Sequence, residues 1–323
     1  MTSSHLIQRV TILGTGLIGG SFALALKKYA TDVQITGWDR HETAEAAQAS
    51  GAIDHPHHGQ LSDAVREADL IYIALPIGVT LDLLAEIAKH AAPHALITDA
   101  CSTKVRILNA AVELFHSPTG PLFLPGHPMA GREVSGIANA DADLFRGQTY
   151  ALITTPSPSP MGAALQFPQG HEGPGAPAVE TIAFLNPSGA KHDPRVSAFL
   201  KLLEKIGARP LWLGAQQHDY AVGLSSHLPQ LTAVALASFL YDRLDENGLP
   251  ITLAGPGLRD SLRLAGSPYA TWRDIILTNR EILSAELDLF ARRLDDLRDR
   301  LNSRELESDF DAANELYKLL RSL

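Results

Sequence analysis

A glycine-rich turn near the N-terminus constrains the fold of this chain more than any other feature. The sequence GTGLIGG at residues 14–20 follows a strand-like apolar segment and precedes an Ala/Leu-rich segment that predicts a helix as far as Tyr29. In such a turn the first glycine permits a tight bend, the second lets the backbone approach a pyrophosphate, and the third allows the helix to pack closely on the strand. The free N–H groups of a helix N-terminus also favour phosphate. The pattern therefore predicts a dinucleotide-binding turn whose contacts are Gly14, Gly16, Leu17, Ile18 and Gly19.

Asp39 indicates which dinucleotide the turn binds. It ends a second predicted strand, residues 33–38, and lies 20 residues after Gly19. A carboxylate at this place accepts hydrogen bonds from both hydroxyls of a ribose and repels a 2′-phosphate, which favours NAD over NADP. The neighbouring Arg40 can stack on adenine or meet a 2′-phosphate, so the strength of that preference stays open.

Strand and helix patterns alternate through the first two thirds of the chain. This alternation predicts the α/β class, with a Rossmann-like, doubly wound and mostly parallel sheet that binds ligands beyond the carboxyl ends of its strands. Pro76, Ser102 and His127 each follow a predicted strand, so we expect them to meet at one crevice. The predicted strands cover residues 70–75, 95–99 and the segment leading into His127, and the predicted helices cover residues 63–67, 79–91 and 103–115.

The chain changes character twice after this region. Residues 156–195 contain clusters of proline and glycine and predict a long surface excursion. A predicted helix at residues 196–206 and a strand at 209–213 then complete the sheet. Beyond about Gly214 only helical patterns remain, so we predict a dinucleotide-binding Rossmann-like domain at 1–214 and an all-helical substrate and dimerisation domain at 215–323.

An apolar stripe runs along the predicted helix at residues 276–301. Its members recur at alternating spacings of four and three, which is typical of a coiled-coil seam. The stripe either packs on its own domain or forms a helical dimer interface, and we expect a homodimer. The members are Leu283, Leu287, Phe290, Leu294, Leu297 and Leu301.

Composition excludes several classes of protein. The formal net charge of −9 argues against a nucleic-acid partner, and the single cysteine, Cys101, rules out an internal disulfide and a cysteine-based zinc site. The first residues lack a basic-then-apolar leader, and no apolar run approaches the length of a membrane span, so we expect a cytoplasmic protein. The histidines at 55–58 have only Asp54 beside them, and we expect no metal site.

His127 is the strongest candidate for proton transfer. It ends an apolar strand-like run inside a turn rich in proline and glycine. On such a turn the neighbouring strands fix the position of a histidine, while the loop leaves its ring accessible to a substrate. Considered by itself, a histidine in a loop is as often only a polar surface residue, so His127 alone does not establish a catalytic role.

Taken together, the motifs resemble the prephenate/arogenate dehydrogenases of tyrosine biosynthesis. The resemblance spans nearly the whole chain apart from residues 156–195, and its motifs stand in the family's order. Besides the glycine turn they are TDACSTK (98–104), GHPMAGRE (126–133), HDY (218–220), SHLPQ (226–230), GPGLRDSLR (255–263) and WRDI (272–275).

The resemblance implies an oxidative decarboxylation with NAD⁺ as hydride acceptor, converting prephenate to 4-hydroxyphenylpyruvate, with arogenate as the alternative or additional substrate. It implies that His127 takes the proton of the substrate's C4 hydroxyl and that Ser102 holds both this histidine and that hydroxyl. By type alone Ser102 also fits the N-cap of the following helix. Lys104 is either a surface cation or a support for the site, whereas His218 with Asp219 is expected to anchor a helix start.

The resemblance also implies the substrate contacts. Arg263 grips the ring carboxylate, since a guanidinium suits that partner. His227 forms the opposite wall or is a structural histidine bonded to backbone, Trp272 reaches across the dimer or belongs to the core, and Glu133 gates the pocket mouth or forms a salt bridge. Gln230 stands where the family usually has a second histidine near the substrate side chain, which leaves the choice between prephenate and arogenate open. Tyrosine feedback, where present, acts at the active site.

Two other classes remain open at this stage. A different two-domain reductase, such as an imine or β-hydroxyacid dehydrogenase, shares the glycine turn and a helical dimer domain. A non-enzymatic NAD sensor keeps the turn and Asp39 without needing Ser102, His127 and Arg263 together.

Overall fold

The computed structural model describes residues 7–132, 134–154, 193–244, 248–302 and 305–322. Its first part contains a six-stranded parallel sheet with the strand order β3-β2-β1-β4-β5-β6, the order of a dinucleotide-binding fold. The predicted doubly wound sheet is therefore confirmed. The strands are β1 (Arg9–Leu13), β2 (Gln34–Trp38), β3 (His55–His57), β4 (Leu70–Ile73), β5 (Leu96–Asp99) and β6 (Leu122–Leu124).

Helices cover both faces of this sheet, which explains the continuous apolar and aromatic sequence of β4. Successive residues of a strand point to opposite faces, so Tyr72 belongs to one buried cluster with Phe22, while Ile71 and Ile73 belong to the cluster on the other face. The helices of this part are α1 (Leu17–Tyr29), α2 (His41–Ala49), α3 (Leu61–Val65), α4 (Ile77–His90), α5 (Val105–Leu114) and α6 (Pro194–Lys205).

A second sheet of three strands lies beside the first, in the order β7-β8-β9. The expectation that the strand at 209–213 completes the main sheet is wrong, because this strand pairs in parallel with β8, which the sequence analysis did not identify. An apolar alternation fixes which face of a strand is buried but does not name its partner. The strands are β7 (Gly126–Pro128), β8 (Thr149–Thr154) and β9 (Arg209–Gly214).

The described residues after β9 are helical, as predicted. A π-helical turn, Gly223–His227, joins the first two of these helices. Among the described residues, no helix is both long enough and apolar enough to cross a membrane. The helices are α7 (Ala215–Val222), α8 (Leu228–Tyr241), α9 (Leu249–Thr252), α10 (Pro256–Leu262), α11 (Tyr269–Thr278), α12 (Arg280–Asp299) and α13 (Glu307–Arg321). The division of the chain at residues 214 and 215 stays a prediction. The excursion at 156–195 also stays a prediction, since its residues 156–192 lie outside the described part.

Two carboxylates attach the helical region to the sheet region. Asp219 of α7 accepts hydrogen bonds from the backbone N–H groups of Lys104 (2.7 Å) and Val105 (2.9 Å), at the start of α5. Asp274 of α11 accepts one from the N–H of Gly78 (3.1 Å) in the first turn of α4. Negative charge is favourable at a helix N-terminus, where N–H groups lack helical partners. The helical region is thereby fixed at the carboxyl ends of β4 and β5.

The predicted apolar stripe lies mainly on α12 and is only partly covered within one chain. Leu283 is 2% exposed, but Phe290 is 37%, Leu294 is 52% and Leu301 is 67% exposed. Packing on the chain's own domain therefore accounts for the beginning of the stripe and leaves its later part uncovered.

Candidate active site

The glycine turn has the geometry of a phosphate-binding turn. Gly14 has a φ of 92°, and a Cβ there would lie 2.5 Å from the carbonyl oxygen of Ala74. A Cβ on Gly19 would lie 1.9 Å from the carbonyl oxygen of Gly14, so both positions require glycine. At Gly16 nothing lies within 4 Å of a Cβ, which leaves open space on the ligand side. Leu17 begins α1, whose first turn has no side-chain cap and no acidic residue of its own, as suits a helix start that binds phosphate.

Asp39 ties β2 to this turn. Its Oδ2 accepts hydrogen bonds from the backbone N–H (2.7 Å) and the hydroxyl (3.2 Å) of Thr15, and its Oδ1 accepts one from the N–H of Arg40 (2.7 Å). The carboxylate keeps further acceptor capacity for a ribose, since each oxygen has two lone pairs. Arg40 is exposed beside it, and Pro76 is exposed immediately before α4.

A buried ion pair fixes the backbone that carries His127. Lys104 and Asp99 are both fully buried and contact each other through Nζ and Oδ2. Lys104 Nζ also donates to the carbonyl of Gly126 (2.7 Å), while Asp99 Oδ1 accepts from the N–H of Gly126 (3.2 Å). The residue before His127 is thus held from both sides. The interpretation of Lys104 as a surface cation is wrong, because a buried ammonium with two oxygen partners is part of the structure that supports the site.

His127 belongs to a chain of hydrogen-bonded side chains. Its Nδ1 lies 2.9 Å from Nε2 of His218, and Nδ1 of His218 lies 2.8 Å from Oδ1 of Asp219. The side chains of His218 and Asp219 are each 2% exposed. The expectation that Asp219 anchors a helix start is confirmed, at α5. The contact between His218 and His127 was missed, because 91 residues separate them and no spacing rule joins a loop histidine to a distant helix.

Burial, together with the nearby groups His218, Lys104 and His227, holds the pKa of His127 well below its ordinary value of 6.5. His127 is therefore neutral at neutral pH, the state in which an imidazole accepts a proton. Only one of its ring nitrogens, Nε2, is free of the contact with His218.

A second buried histidine stands beside this chain. Nδ1 of His227 lies 3.1 Å from the side-chain nitrogen of Asn279, which also donates to the backbone carbonyl of Asp219 (2.9 Å). Burial lowers the pKa of His227 to about 4. The contact found for His227 is with a side chain rather than with backbone, and its place on the pocket wall stays a prediction. Asn279, which is 3% exposed, was missed by the sequence analysis, because a single asparagine between two helices carries no motif.

Trp272 lies in the same part of the molecule. The centroid of its ring is 5.8 Å from that of His227, edge to face, and its side chain packs on a buried cluster of its own chain. This placement corresponds to the core alternative within one chain.

Gln230 and Arg263 are connected through the backbone. Gln230 is 3% exposed and donates from Nε2 to the carbonyl of Leu264 (2.9 Å), in the 3₁₀ turn Arg263–Gly266. The buried amide thus holds the turn that begins with the exposed Arg263. A histidine at this position offers one ring N–H, whereas the amide offers two N–H groups and an acceptor oxygen.

Ser102 is half-buried in the connection between β5 and α5. The N-cap position of α5 is occupied by Lys104, whose side chain makes no capping hydrogen bond. The interpretation of Ser102 as the N-cap of this helix is therefore wrong. The hydrogen bonds found among the described residues include none between Ser102 and His127, and a direct contact between them stays a prediction. Glu133 lies outside the described residues.

The structure therefore brings together His127, His218, Asp219, Asn279, His227 and Trp272 where α7, α8 and α11 cover the ends of β4 and β5. The glycine turn and Asp39 form a neighbouring group at the ends of β1 and β2. Elsewhere, the exposed side chains of His41, Glu45 and His58 come close enough to hold a metal ion, the nearest ring nitrogens being 3.3 Å apart. None of these three residues belongs to the group of side chains around His127.

Comparisons with known proteins identify the family of this chain. A family model described as the nucleotide-binding domain of prephenate dehydrogenase matches residues 22–164, and one described as the prephenate dehydrogenase dimerization domain matches residues 214–321. The prephenate dehydrogenase of Lactococcus lactis is 33% identical over 303 residues, which cover 94% of this chain and 73% of the relative. The cyclohexadienyl dehydrogenase of Zymomonas mobilis is 28% identical and covers 92% of this chain and 90% of the relative.

The same fold occurs in a solved structure. A crystal structure of prephenate dehydrogenase from A. aeolicus, in complex with hydroxyphenyl propionate and NAD⁺, matches with a TM-score of 0.78 and 24% identity over 99% of both chains. At this identity the likeness concerns the fold.

Proposed function

Because the chain belongs to the prephenate dehydrogenase family, as the motif order predicted, we propose that it converts prephenate to 4-hydroxyphenylpyruvate and CO₂ with NAD⁺ as oxidant. Arogenate is the alternative or additional substrate, since relatives include a cyclohexadienyl dehydrogenase. The observation that carries the proposal is the neutral His127, held on a fixed backbone at the carboxyl edge of a dinucleotide-binding sheet.

The residues present fit NAD. The open space at Gly16 and the uncapped start of α1 suit a pyrophosphate, with Gly14, Leu17, Ile18 and Gly19 shaping the turn. Asp39, with Arg40 beside it, suits a ribose diol, and Pro76, immediately before α4, is proposed to border the crevice. Bound NAD⁺ supplies the acceptor for the hydride that leaves C4 of the substrate.

His127 performs the proton step. As hydride leaves C4, Nε2 of His127 takes the proton of the C4 hydroxyl, and the oxygen becomes a carbonyl. The C1 carboxylate then leaves as CO₂, its bonding electrons aromatise the ring, and the oxygen regains a proton as a phenol. Ser102 is proposed to hold the hydroxyl toward His127.

The substrate's two carboxylates require directed cations and donors. Arg263 is proposed to bind the ring carboxylate, because a guanidinium offers two parallel N–H groups. His227, Trp272 and Glu133 are proposed to line the remaining wall and mouth of the pocket. Gln230 is proposed to act next to the substrate side chain, where its oxygen can accept from the ammonium of arogenate and its amide can donate to the keto acid of prephenate.

The proposal extends to assembly and regulation. The uncovered apolar side chains of α12 and α13, in a region that matches a dimerization-domain model, support a homodimer. Tyrosine, which shares the phenol ring and carboxylate of the product, is proposed to inhibit at the active site. We place the enzyme in the cytoplasm, which its single cysteine supports.

A paired assay tests the proposal. Purified protein is mixed with prephenate or arogenate and with NAD⁺ or NADP⁺, and the reduced cofactor is followed at 340 nm. We expect turnover with NAD⁺ and at least one of the two substrates, and CO₂ release in equal amount. Absence of turnover with both substrates contradicts the dehydrogenase proposal, and turnover with NADP⁺ in preference to NAD⁺ contradicts the role given to Asp39.

A further inference from the structure

The buried chain from Asp219 through His218 to His127 determines where protons reside on the two imidazoles. An ionised carboxylate only accepts hydrogen bonds, whereas a neutral imidazole donates through one nitrogen and accepts through the other. Asp219 accepts hydrogen bonds from two backbone N–H groups, and its Oδ1 also faces Nδ1 of His218. The direction of every bond in the chain can therefore be derived from this end.

The derivation has two steps. Because Oδ1 of Asp219 accepts, Nδ1 of His218 carries the proton, and Nε2 of neutral His218 is left as an acceptor. Because Nε2 of His218 accepts, Nδ1 of His127 carries the proton, and Nε2 of His127 keeps its lone pair. That lone pair is what a base needs to take a hydroxyl proton.

The opposite arrangement would disable the base. If His218 donated from its Nε2, then Nδ1 of His127 would have to be the acceptor. The proton of neutral His127 would then lie on its Nε2, the nitrogen that has to accept the hydroxyl proton of the substrate. Fixing a histidine tautomer through a buried carboxylate is a known source of large rate effects when the carboxylate faces the base directly. In this chain a second histidine stands between the two.

The same contacts stabilise the base after it has reacted. Lys104 and burial both disfavour a positive charge on His127. The imidazolium of His127 donates a hydrogen bond from its Nδ1–H to Nε2 of His218. The negative charge of Asp219 aligns the dipole of His218 so that this nitrogen is a better acceptor. Asp219 is itself held by two backbone N–H groups at the start of α5, so it orients His218 before the reaction begins.

We propose that His218 and Asp219 are positioning residues that hold His127 as its Nδ1–H tautomer, with Nε2 free to act on the substrate. The proposal rests on the proposed function for its kinetic consequences, but its statement about the tautomer concerns the protein alone. His218 does not itself contact the reacting atoms.

The direct test is nitrogen NMR of protein with ¹⁵N-labelled histidine rings at neutral pH, without substrate. The His127 signals are identified by their loss in His127→Asn. We expect Nδ1 of His127 to have the shift of a protonated imidazole nitrogen and Nε2 that of an unprotonated one. A protonated Nε2 with an unprotonated Nδ1 in the parent protein overturns the proposal.

Two substitutions at residue 218 add a functional readout. His218→Leu removes the acceptor at similar volume, and His218→Gln restores an acceptor oxygen near the position of Nε2. We expect His218→Leu to lower kcat about 10- to 1000-fold, with KM and NAD⁺ affinity within about threefold of parent, and His218→Gln to recover most of the loss. His116→Leu is the matched control, because His116 is exposed after the end of α5, and it should leave kcat unchanged.

Each result separates the alternatives. A parental kcat in His218→Leu overturns the positioning role, and so does an equal loss in His218→Leu and His218→Gln. If His218→Leu does not fold, the parent spectrum and His218→Gln still decide the question. If the parent oxidises neither prephenate nor arogenate, the proposed function fails, while the spectrum continues to test the tautomer.

Discussion

The sheet region and the helical region of this protein differ in how much apolar core each one buries within a single chain. In β1 and β4 every buried residue except Thr11 is apolar or aromatic, and helices cover these strands on both faces, whereas β5 ends in the buried polar residues Thr98 and Asp99. In the helical region several of the buried side chains are polar and belong to the site or to its attachment: His218, Asp219, His227, Gln230 and Asn279. Many of the large apolar side chains of this region are instead exposed, with Leu253 at 80%, Tyr241 at 74% and Phe310 at 68%.

The difference shows how the two regions share the work. The sheet region forms its own apolar core and can supply a fixed backbone for His127. The helical region forms little apolar core in one chain, and one of its buried polar side chains, His218, contacts His127. Its exposed apolar faces need a further surface to cover them, as expected for a region that matches a dimerization-domain model.

The largest expected effect comes from the reactive group of the sheet region. His127→Asn should lower kcat by roughly 10²- to 10⁴-fold, because it removes the proton acceptor. NAD⁺ affinity, measured by fluorescence titration, should stay within about threefold of the parent, since the glycine turn and Asp39 are untouched. Near-parental turnover in this variant would mean that another group is the base, and the contact of His218 with His127 would then have no role in the reaction.

A matched pair of phenylalanines tests the contrast in packing. Phe22 is fully buried and stacks on Tyr72 with ring centroids 3.9 Å apart, whereas Phe310 on α13 is 68% exposed. Phe22→Ala should lower the free energy of unfolding by about 3–5 kcal/mol at any protein concentration. Phe310→Ala should cost less than about 1 kcal/mol in the monomer but weaken self-association.

Urea unfolding at two protein concentrations, with sedimentation of each variant, measures both effects. A concentration-independent loss in Phe310→Ala as large as that in Phe22→Ala would show that α13 packs within its own chain, and the contrast between the regions would fail.

Arg263 tests whether the helical region binds the substrate. Arg263→Ala should raise KM for the cyclohexadienyl substrate by an amount equivalent to about 2–4 kcal/mol, because the ring carboxylate loses its charged partner. Affinity for NAD⁺ should be unchanged. Arg259→Ala, on the preceding helix α10, is the control, and steady-state kinetics on both variants give the comparison. An unchanged KM in Arg263→Ala contradicts the assignment.

The smallest effect concerns pH and the buried histidines of the helical region. The pKa of His227 is lowered to about 4, so below its ordinary value of 6.5 the unfolded chain binds a proton that the folded chain does not. Stability is therefore present above pH 6.5 and is lost as pH falls toward 4. In His227→Gln the loss between pH 7 and 5.5 should be smaller than in the parent by about 1 kcal/mol.

Urea unfolding at both pH values measures this difference, and His116→Gln, at an exposed position, should leave the pH dependence as in the parent. A His227→Gln variant with the parent's pH dependence would mean that His227 titrates normally in the folded protein.

The parts that sequence predicted well are those set by local patterns. The glycine turn, the alternating elements of the sheet region and the helical character after Gly214 all depend on periodicities and turn chemistry that act within a few residues of the chain. The strand β8 and the second sheet were missed, because pairing partners are chosen among segments that are distant in sequence. The same reason hid the contact of His218 with His127 and the role of Asn279.

What the sequence alone determined is therefore the set of reactive residue types and the fold that presents them: a turn that only glycine can form, an acid after the second strand, and a histidine beyond the strand ends. The tertiary structure decided how those groups are held. It buried Lys104 against Asp99, placed Asp219 at the start of α5, and set His218 between Asp219 and His127. Such contacts depend on the packing of helices against strand ends that are distant in sequence, so no local pattern specifies them. Burial then strengthens these contacts by excluding water.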